Sequence, residues 1–92
     1  MDAIETVRVR VTGRVQGVAY RAWAAGAARG LGLSGWVRND DDGAVVALVS
    51  GPLPAVERML AAMRAGPPDA RVRDLSSAPC DEVPPAGFVI RR

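Results

Sequence analysis

The residues best suited to chemistry lie between Val11 and Arg21, where the chain reads Val-Thr-Gly-Arg-Val-Gln-Gly-Val-Ala-Tyr-Arg. An alternating strand stops at Gly13, and an alanine-rich segment with helical character begins near Tyr20. The loop between them delivers backbone N–H groups to a helix start, where unpaired donors and the helix dipole attract anions. Arg21 adds a forked cation, and Gly17 lets the backbone approach a ligand closely. This stretch predicts a site for a small anion.

On spacing alone, an ordinary connection explains the same stretch equally well, with glycines that serve turn geometry and a solvated arginine. The loop contains neither Gly-x-Gly-x-x-Gly nor Gly-Lys-Ser/Thr, which disfavours two common modes of nucleotide binding. The chain has no histidine and no lysine, which excludes Ser-His-Asp catalysis and Schiff-base chemistry. Its single cysteine, Cys80, excludes an internal disulfide and a multi-cysteine metal site, and we interpret it as incidental.

The totals describe a chain of one domain, residues 1–92. Its net charge of +2 does not demand a nucleic-acid partner. No apolar run approaches the roughly 20 residues that span a bilayer. The N-terminus, Met-Asp-Ala-Ile-Glu-Thr, lacks the basic and apolar regions of a signal peptide. We therefore expect a cytoplasmic monomer without a membrane or nucleic-acid partner.

Hydrophobic spacing predicts five strands and two helices. In the first strand Val7, Val9 and Val11 alternate with polar residues, so one face of the sheet should be buried and the other should meet water. The predicted order is strand 4–12, helix 20–30, strand 33–39, strand 44–50, a helix introduced by residues 51–54, strand 70–77 and strand 87–91. Two helices on one face of an antiparallel sheet give an α+β, ferredoxin-like β-α-β-β-α-β sandwich with a short added C-terminal strand.

Each predicted helix carries an apolar stripe at helical spacing, which should face the sheet. The stripes comprise Tyr20, Ala24, Ala27, Ala28 and Leu31 in the first helix and Val56, Met59, Leu60 and Met63 in the second. Between the second and third strands, Asp40-Asp41-Asp42-Gly43 favours a hairpin turn. The three aspartates also have the look of a cation site, but they lack the alternating ligands and closing glutamate of a calcium loop.

Two motifs resemble the signatures of the acylphosphatase family, in their internal spacing and in the gap between them. They read Val11-x-Gly13-x-Val15-Gln16-Gly17-Val18-x-Tyr20-Arg21 and Gly35-Trp36-Val37-Arg38-Asn39-x-x-x-Gly43-x-Val45-x-x-x-x-x-Gly51. The similarity continues through Gly66-Pro67 to Gly87-Phe88-x-Ile90. Two departures, Tyr20 in place of the commoner phenylalanine and Val46 where many relatives carry glutamate, leave the residues that the family uses for chemistry untouched.

The resemblance implies the ferredoxin-like fold and hydrolysis of an acyl phosphate to a carboxylate and inorganic phosphate, without metal or cofactor. In the family, the arginine matching Arg21 binds phosphate together with loop amides, and the asparagine matching Asn39 positions the attacking water. Inorganic phosphate or sulfate is the implied ligand in place of substrate. The implied phosphate-binding loop comprises Val15, Gln16, Gly17, Val18, Ala19 and Tyr20. The role of the Gln16 side chain is left open, because it could brace the loop instead of touching substrate.

A site of this kind needs few groups. Phosphoryl transfer depends mainly on positioning and on stabilising charge over the equatorial oxygens. The leaving group is a carboxylate, whose conjugate acid has a pKa of about 4, so it departs without protonation. An oxygen of the phosphate can accept the proton of the attacking water, and the absence of histidine is therefore no obstacle.

Two other classes of function compete with this one. The first is a small-anion or phosphate-binding module on the same fold, without turnover. The second is an RNA-binding domain of similar topology, which would place aromatic residues on the open sheet face. Arg8 and Arg10 occupy that face in the first strand, and the chain has only two tryptophans, one tyrosine and one phenylalanine.

Overall fold

The computed structural model describes residues 3–92, so Met1 and Asp2 of the predicted 1–92 domain lie outside the described residues. Every predicted element is present, with ends shifted by at most two residues. The elements are β1 (Ile4–Arg14), α1 (Tyr20–Gly30), β2 (Ser34–Asn39), β3 (Val45–Pro52), α2 (Leu53–Ala65), β4 (Arg71–Pro79) and β5 (Phe88–Ile90). Neither helix in this part of the chain has the length and apolar character needed to cross a membrane.

The five strands form one sheet in the order β4-β1-β3-β2-β5. β1 to β4 pair antiparallel as predicted, whereas β5 pairs parallel to β2, so the complete sheet is mixed. The predicted antiparallel sheet is thus confirmed in four strands, and the added C-terminal strand, for which no direction was predicted, extends it in parallel. β3 lies at the centre, which accounts for the unbroken burial from Val45 to Gly51. Because β4 and β5 form opposite edges, residues 80–87 must cross the sheet to join them.

Both helices pack on one face of the sheet and bury the larger core. The residues that the helices bury are Tyr20, Ala24, Ala25 and Ala28 in α1 and Val56, Met59 and Met63 in α2. Ala27, Leu31 and Leu60, which the stripes also include, pack against this core but stay partly exposed. Val9 and Val11 of β1 are fully buried beneath the helices, as the alternation predicts.

The sheet face opposite the helices was predicted to meet water, and this prediction is wrong at the centre of the face. Trp36, Val46 and Leu48 form a second buried cluster there, and Cys80 packs against it. The indole of Trp36 donates to Oε2 of Glu82 at 2.7 Å, so the segment that crosses the sheet covers the ring. Three guanidinium groups lie over the same ring, at 5.6 Å for Arg8, 5.6 Å for Arg38 and 4.9 Å for Arg91.

Candidate active site

The loop between β1 and α1 is anchored by side chains that point into the core. Val15 is 1% exposed and Tyr20 is 2% exposed. The Tyr20 hydroxyl donates to the carbonyl of Met63 at 2.6 Å, which joins the start of α1 to the end of α2. The Tyr20 ring also packs edge-on against Trp23, with centroids 5.4 Å apart. With its side chains used for packing, the loop presents its backbone at the surface.

Two residues of the loop have left-handed backbone conformations. Gly17 has φ of 75°, and Ala19 has φ of 61° and ψ of 26°. Ala19 is the one non-glycine residue in 3–92 with positive φ. A Cβ in this conformation costs about 1–2 kcal/mol, and such strain is typical of functional sites. Left-handed residues within a turn also direct successive amides into an anion-binding concavity.

The loop amides are available to a ligand. Across the part of the chain that the structure describes, no backbone carbonyl or side chain accepts a hydrogen bond from the N–H groups of residues 16–20. These donors precede and begin α1, where the helix dipole is positive. Arg21 occupies the first turn of the same helix and adds a full positive charge. The loop and Arg21 therefore make a strongly anion-attracting corner.

Arg21 and Asn39 line one cleft of about 450 Å³, together with Gly17 and Ala19 of the loop. They also line an adjoining cleft of about 620 Å³ that includes Gln16. The strand register explains the proximity. Val45 of β3 pairs with Val11 on one side and with Asn39 on the other, so the ends of β1 and β2 flank the same end of β3.

Gln16 braces the loop against the β2–β3 hairpin. Its Nε2 donates to the carbonyl of Asp40 at 2.8 Å and to the carbonyl of Ala44 at 2.9 Å. Both acceptors belong to the turn that follows Asn39. These two hydrogen bonds connect the loop to the residues that follow Asn39, as the bracing alternative for Gln16 expects.

The C-terminal residues also contribute to the site, which the sequence reasoning missed. Arg21 Nη1 donates to the carbonyl of Arg91 at 3.1 Å, and Ile90 and Arg92 line the cleft. β5 is held in place by Arg29, which donates to the carbonyl of Phe88 from Nη2 at 2.9 Å. No local signal predicts these contacts, because they depend on the parallel pairing of β5 with β2.

Two of the three aspartates of the hairpin, Asp40 and Asp42, pair with arginines. Hydrogen bonds from Arg38 and then from Arg10 lower the pKa of Asp40 below its ordinary value. Asp42 pairs with Arg10 as well. Within residues 3–92, no group of three His, Cys, Asp or Glu residues is arranged to hold a metal ion. Burial raises the pKa of Tyr20, so neither Asp40 nor Tyr20 exchanges a proton near neutral pH.

Comparison with known proteins agrees with this architecture. The acylphosphatase family model matches residues 7–90. The chain belongs to the acylphosphatase family. Among curated relatives, the acylphosphatase of Rhodospirillum rubrum is 54% identical over 85 residues, covering 92% of this chain and 93% of the relative. Acylphosphatase 2 of Ralstonia nicotianae is 56% identical over 90 residues and covers 95% of both chains.

Solved structures agree as well. An acylphosphatase from Coxiella burnetii superimposes with a TM-score of 0.91 at 28% identity, covering 96% of this chain and 93% of that one. The acylphosphatase from Bacillus subtilis gives a TM-score of 0.90 at 34% identity, covering 98% and 100%. The resemblance and the ferredoxin-like fold are thereby confirmed, and this member of the acylphosphatase family is an enzyme.

Proposed function

We propose that this protein hydrolyses small acyl phosphates, with Arg21 and the loop amides of residues 15–20 holding the phosphoryl group and Asn39 orienting the attacking water. The observation that carries the proposal is the shared cleft. Arg21, loop amides without protein acceptors and the carboxamide of Asn39 line one cleft at the positive end of α1. The positive charge and the amides suit the oxygens of a phosphoryl group, and a carboxamide beside them suits a water that attacks phosphorus.

The Arg21 guanidinium has enough donors for this task. One of its five N–H groups is used by the carbonyl of Arg91. The others remain for the equatorial oxygens of the phosphoryl group, on which negative charge is stabilised in the transition state. The Arg91 contact holds the side chain beside the loop, so the cation is positioned before substrate arrives.

The reaction balances without a protein acid or base. The water oxygen forms a bond to phosphorus while the bond to the carboxylate oxygen breaks, and the electron pair leaves with the carboxylate. The proton of the water passes to a phosphate oxygen. The leaving group has a conjugate acid of pKa about 4 and needs no proton.

Gln16 positions Asn39 relative to the loop, and its side chain does not bind the substrate. Its two bonds to the hairpin set where Asn39 stands relative to the loop. An error of about 1 Å in such a distance can cost a hundredfold in rate. Gln16 is therefore assigned to the geometry of the attack, through Asn39.

Hydrolysis of benzoyl phosphate by the purified protein, with excess chelator present, tests the proposal. We expect turnover that is unchanged by the chelator and is competitively inhibited by inorganic phosphate or sulfate. Decay at the spontaneous rate would contradict the proposal, and phosphate binding without turnover would indicate a small-anion-binding module instead. A strict requirement for a metal would overturn the mechanism.

We further propose that the chain acts in the cytoplasm as a monomer of one domain, without a cofactor. A single family model that matches residues 7–90 supports the assignment of one domain. Light scattering on the purified protein tests the oligomeric state, and a stable dimer at micromolar concentration would contradict it.

A further inference from the structure

A further cleft, here called the basic cleft, lies where β1 ends and β4 begins. Its volume is about 570 Å³, and four arginines line it, namely Arg10, Arg14, Arg71 and Arg73. It shares no lining residue with the two clefts of the candidate active site. The hairpin that Gln16 holds on one side contributes Asp42 and Gly43 to the basic cleft on the other. The basic cleft and the candidate active site thus lie on either side of the hairpin and are lined by different residues.

A backbone irregularity brings these arginines together. The pairing of β1 with β4 shifts register between Thr12 and Gly13, which is a bulge. Gly13 has φ of 121°, and a Cβ there would collide with the carbonyl of Arg71 and the amide of Arg73. Only glycine allows β4 to approach β1 this closely. Bulges commonly re-aim side chains beside functional sites.

The charges in the basic cleft are not balanced by the protein. Arg14 and Arg71 are directly opposed across the two strands, an arrangement that destabilises a sheet. Within residues 3–92, Arg14, Arg71 and Arg73 form no ion pair. Asp42 is the one acidic residue in the lining, and its carboxylate pairs with Arg10. Three guanidinium groups therefore face the cleft without a counter-charge.

We propose that the basic cleft binds a small oligophosphate, a molecule with two or more linked phosphate groups. Guanidinium groups bind phosphate through paired hydrogen bonds, and three of them match more charge than a single phosphate carries. The volume lies within the usual range for small-molecule sites. The basic surface is also local. The nearby Arg8 and Arg38 pair with Glu82 and Asp40, so the unpaired guanidinium groups of the basic cleft do not continue along β1 and β2 as a nucleic-acid backbone would require.

Calorimetric titration with inorganic tripolyphosphate tests this proposal. The variant Arg71→Gln/Arg73→Gln should bind tripolyphosphate about tenfold more weakly than the natural chain, or more weakly still. The matched control Arg58→Gln/Arg64→Gln removes two exposed charges from α2 and should bind within about twofold of the natural chain. Arg21→Gln should also retain binding, which separates this site from the proposed catalytic one. Failure of the proposed hydrolysis would leave these expectations unchanged.

Several results would overturn the proposal. Equal affinity in Arg71→Gln/Arg73→Gln and in the control would show that the basic cleft is not the site. Loss of binding in Arg21→Gln alone would place the anion in the candidate active site. Tighter binding of a single-stranded oligothymidylate than of tripolyphosphate, with the same dependence on Arg71 and Arg73, would indicate a nucleic-acid ligand instead.

The melting temperature tests the binding of tripolyphosphate to the basic cleft independently of calorimetry. Without anion, the single variant Arg71→Gln should melt at a higher temperature than the natural chain, because the opposed pair with Arg14 is removed. Tripolyphosphate should raise the melting temperature of the natural chain and raise that of the variant less. Arg14→Gln should behave in the same way. Identical shifts in all three proteins would contradict the proposal.

Discussion

The arginines on the sheet face opposite the helices and the arginine at the candidate active site have different partners. Arg10 and Arg38 both pair with the carboxylate of Asp40, at 3.2 and 3.1 Å. Arg21 instead donates to the neutral carbonyl of Arg91, and within residues 3–92 it forms no ion pair. The guanidinium group is the same in both places. What differs is whether a carboxylate already balances the charge, and we infer that the unpaired guanidinium group at the start of α1 is free to bind a phosphoryl group.

Arg21→Ala should have the largest effect, because it removes the unpaired guanidinium group. We expect kcat/KM for benzoyl phosphate to fall about a thousandfold, because the charge that stabilises the equatorial oxygens is lost. Competitive inhibition by phosphate should weaken in the same variant. Arg8→Ala, on the sheet face opposite the helices, is the control. Its kcat/KM should stay within about twofold of the natural chain's value. Normal phosphate inhibition in Arg21→Ala would place the anion elsewhere.

Gln16→Ala should lower kcat by about tenfold to a hundredfold, because the loop and the hairpin are no longer held at a fixed distance. The inhibition constant of phosphate should change little, since the Gln16 amide donates to the hairpin and not to the ligand. Steady-state kinetics with phosphate as inhibitor separate the two quantities. A parallel loss of phosphate affinity would show that Gln16 contacts the anion directly.

Ala19→Gly should raise the free energy of unfolding by about 1 kcal/mol, because glycine adopts the left-handed conformation of this position without strain. Urea denaturation measures this change. Ala22→Gly, in the first turn of α1, is the control and should lower the stability by about 1 kcal/mol. A destabilised Ala19→Gly protein would mean that the Cβ of Ala19 contributes packing that outweighs its strain.

The smallest expected effect concerns Asp40. Its pKa is lowered in the folded protein, so its contribution to stability is present above about pH 4, the ordinary value for an aspartate, and is lost as pH falls through the lower folded value. Asp40→Asn should therefore be slightly less stable than the natural chain at pH 7 and equal to it at pH 2. The difference is small because the carboxylate is partly exposed to solvent, which screens its ion pairs. Asp69→Asn is the control. A stability gap that persists at pH 2 would contradict the charge pairing.

Much of the fold could be predicted from the sequence because its signals are local. The alternation of Val7, Val9 and Val11 fixes which face of β1 is buried, and the run from Gly13 to Tyr20 marks the strand-to-helix loop. The family motifs predicted the candidate site residues, and the register of Val45 with its two neighbours explains why their elements meet.

Other features depend on contacts between distant parts of the chain. The carbonyl of Arg91 reaches Arg21 only because β5 pairs parallel to β2, and three residues of β5 carry too little pattern to predict this. The burial of Trp36 depends on the segment that crosses the sheet, which reads as a polar loop. The bracing role of Gln16 needs the position of the hairpin carbonyls, since an amide side chain has no sequence signature for its partner.

Asn39→Ala separates the roles proposed for Arg21, which holds the phosphoryl group, and Asn39, which orients the water. The measurement is kcat for benzoyl phosphate beside the inhibition constant of phosphate, in the natural chain and in the variant. We predict that kcat falls by about a hundredfold or more while the inhibition constant stays within about twofold, because the carboxamide orients water and the phosphoryl group is held by Arg21 and the amides. Retained kcat, or a loss of phosphate binding that equals the loss of kcat, would contradict the account.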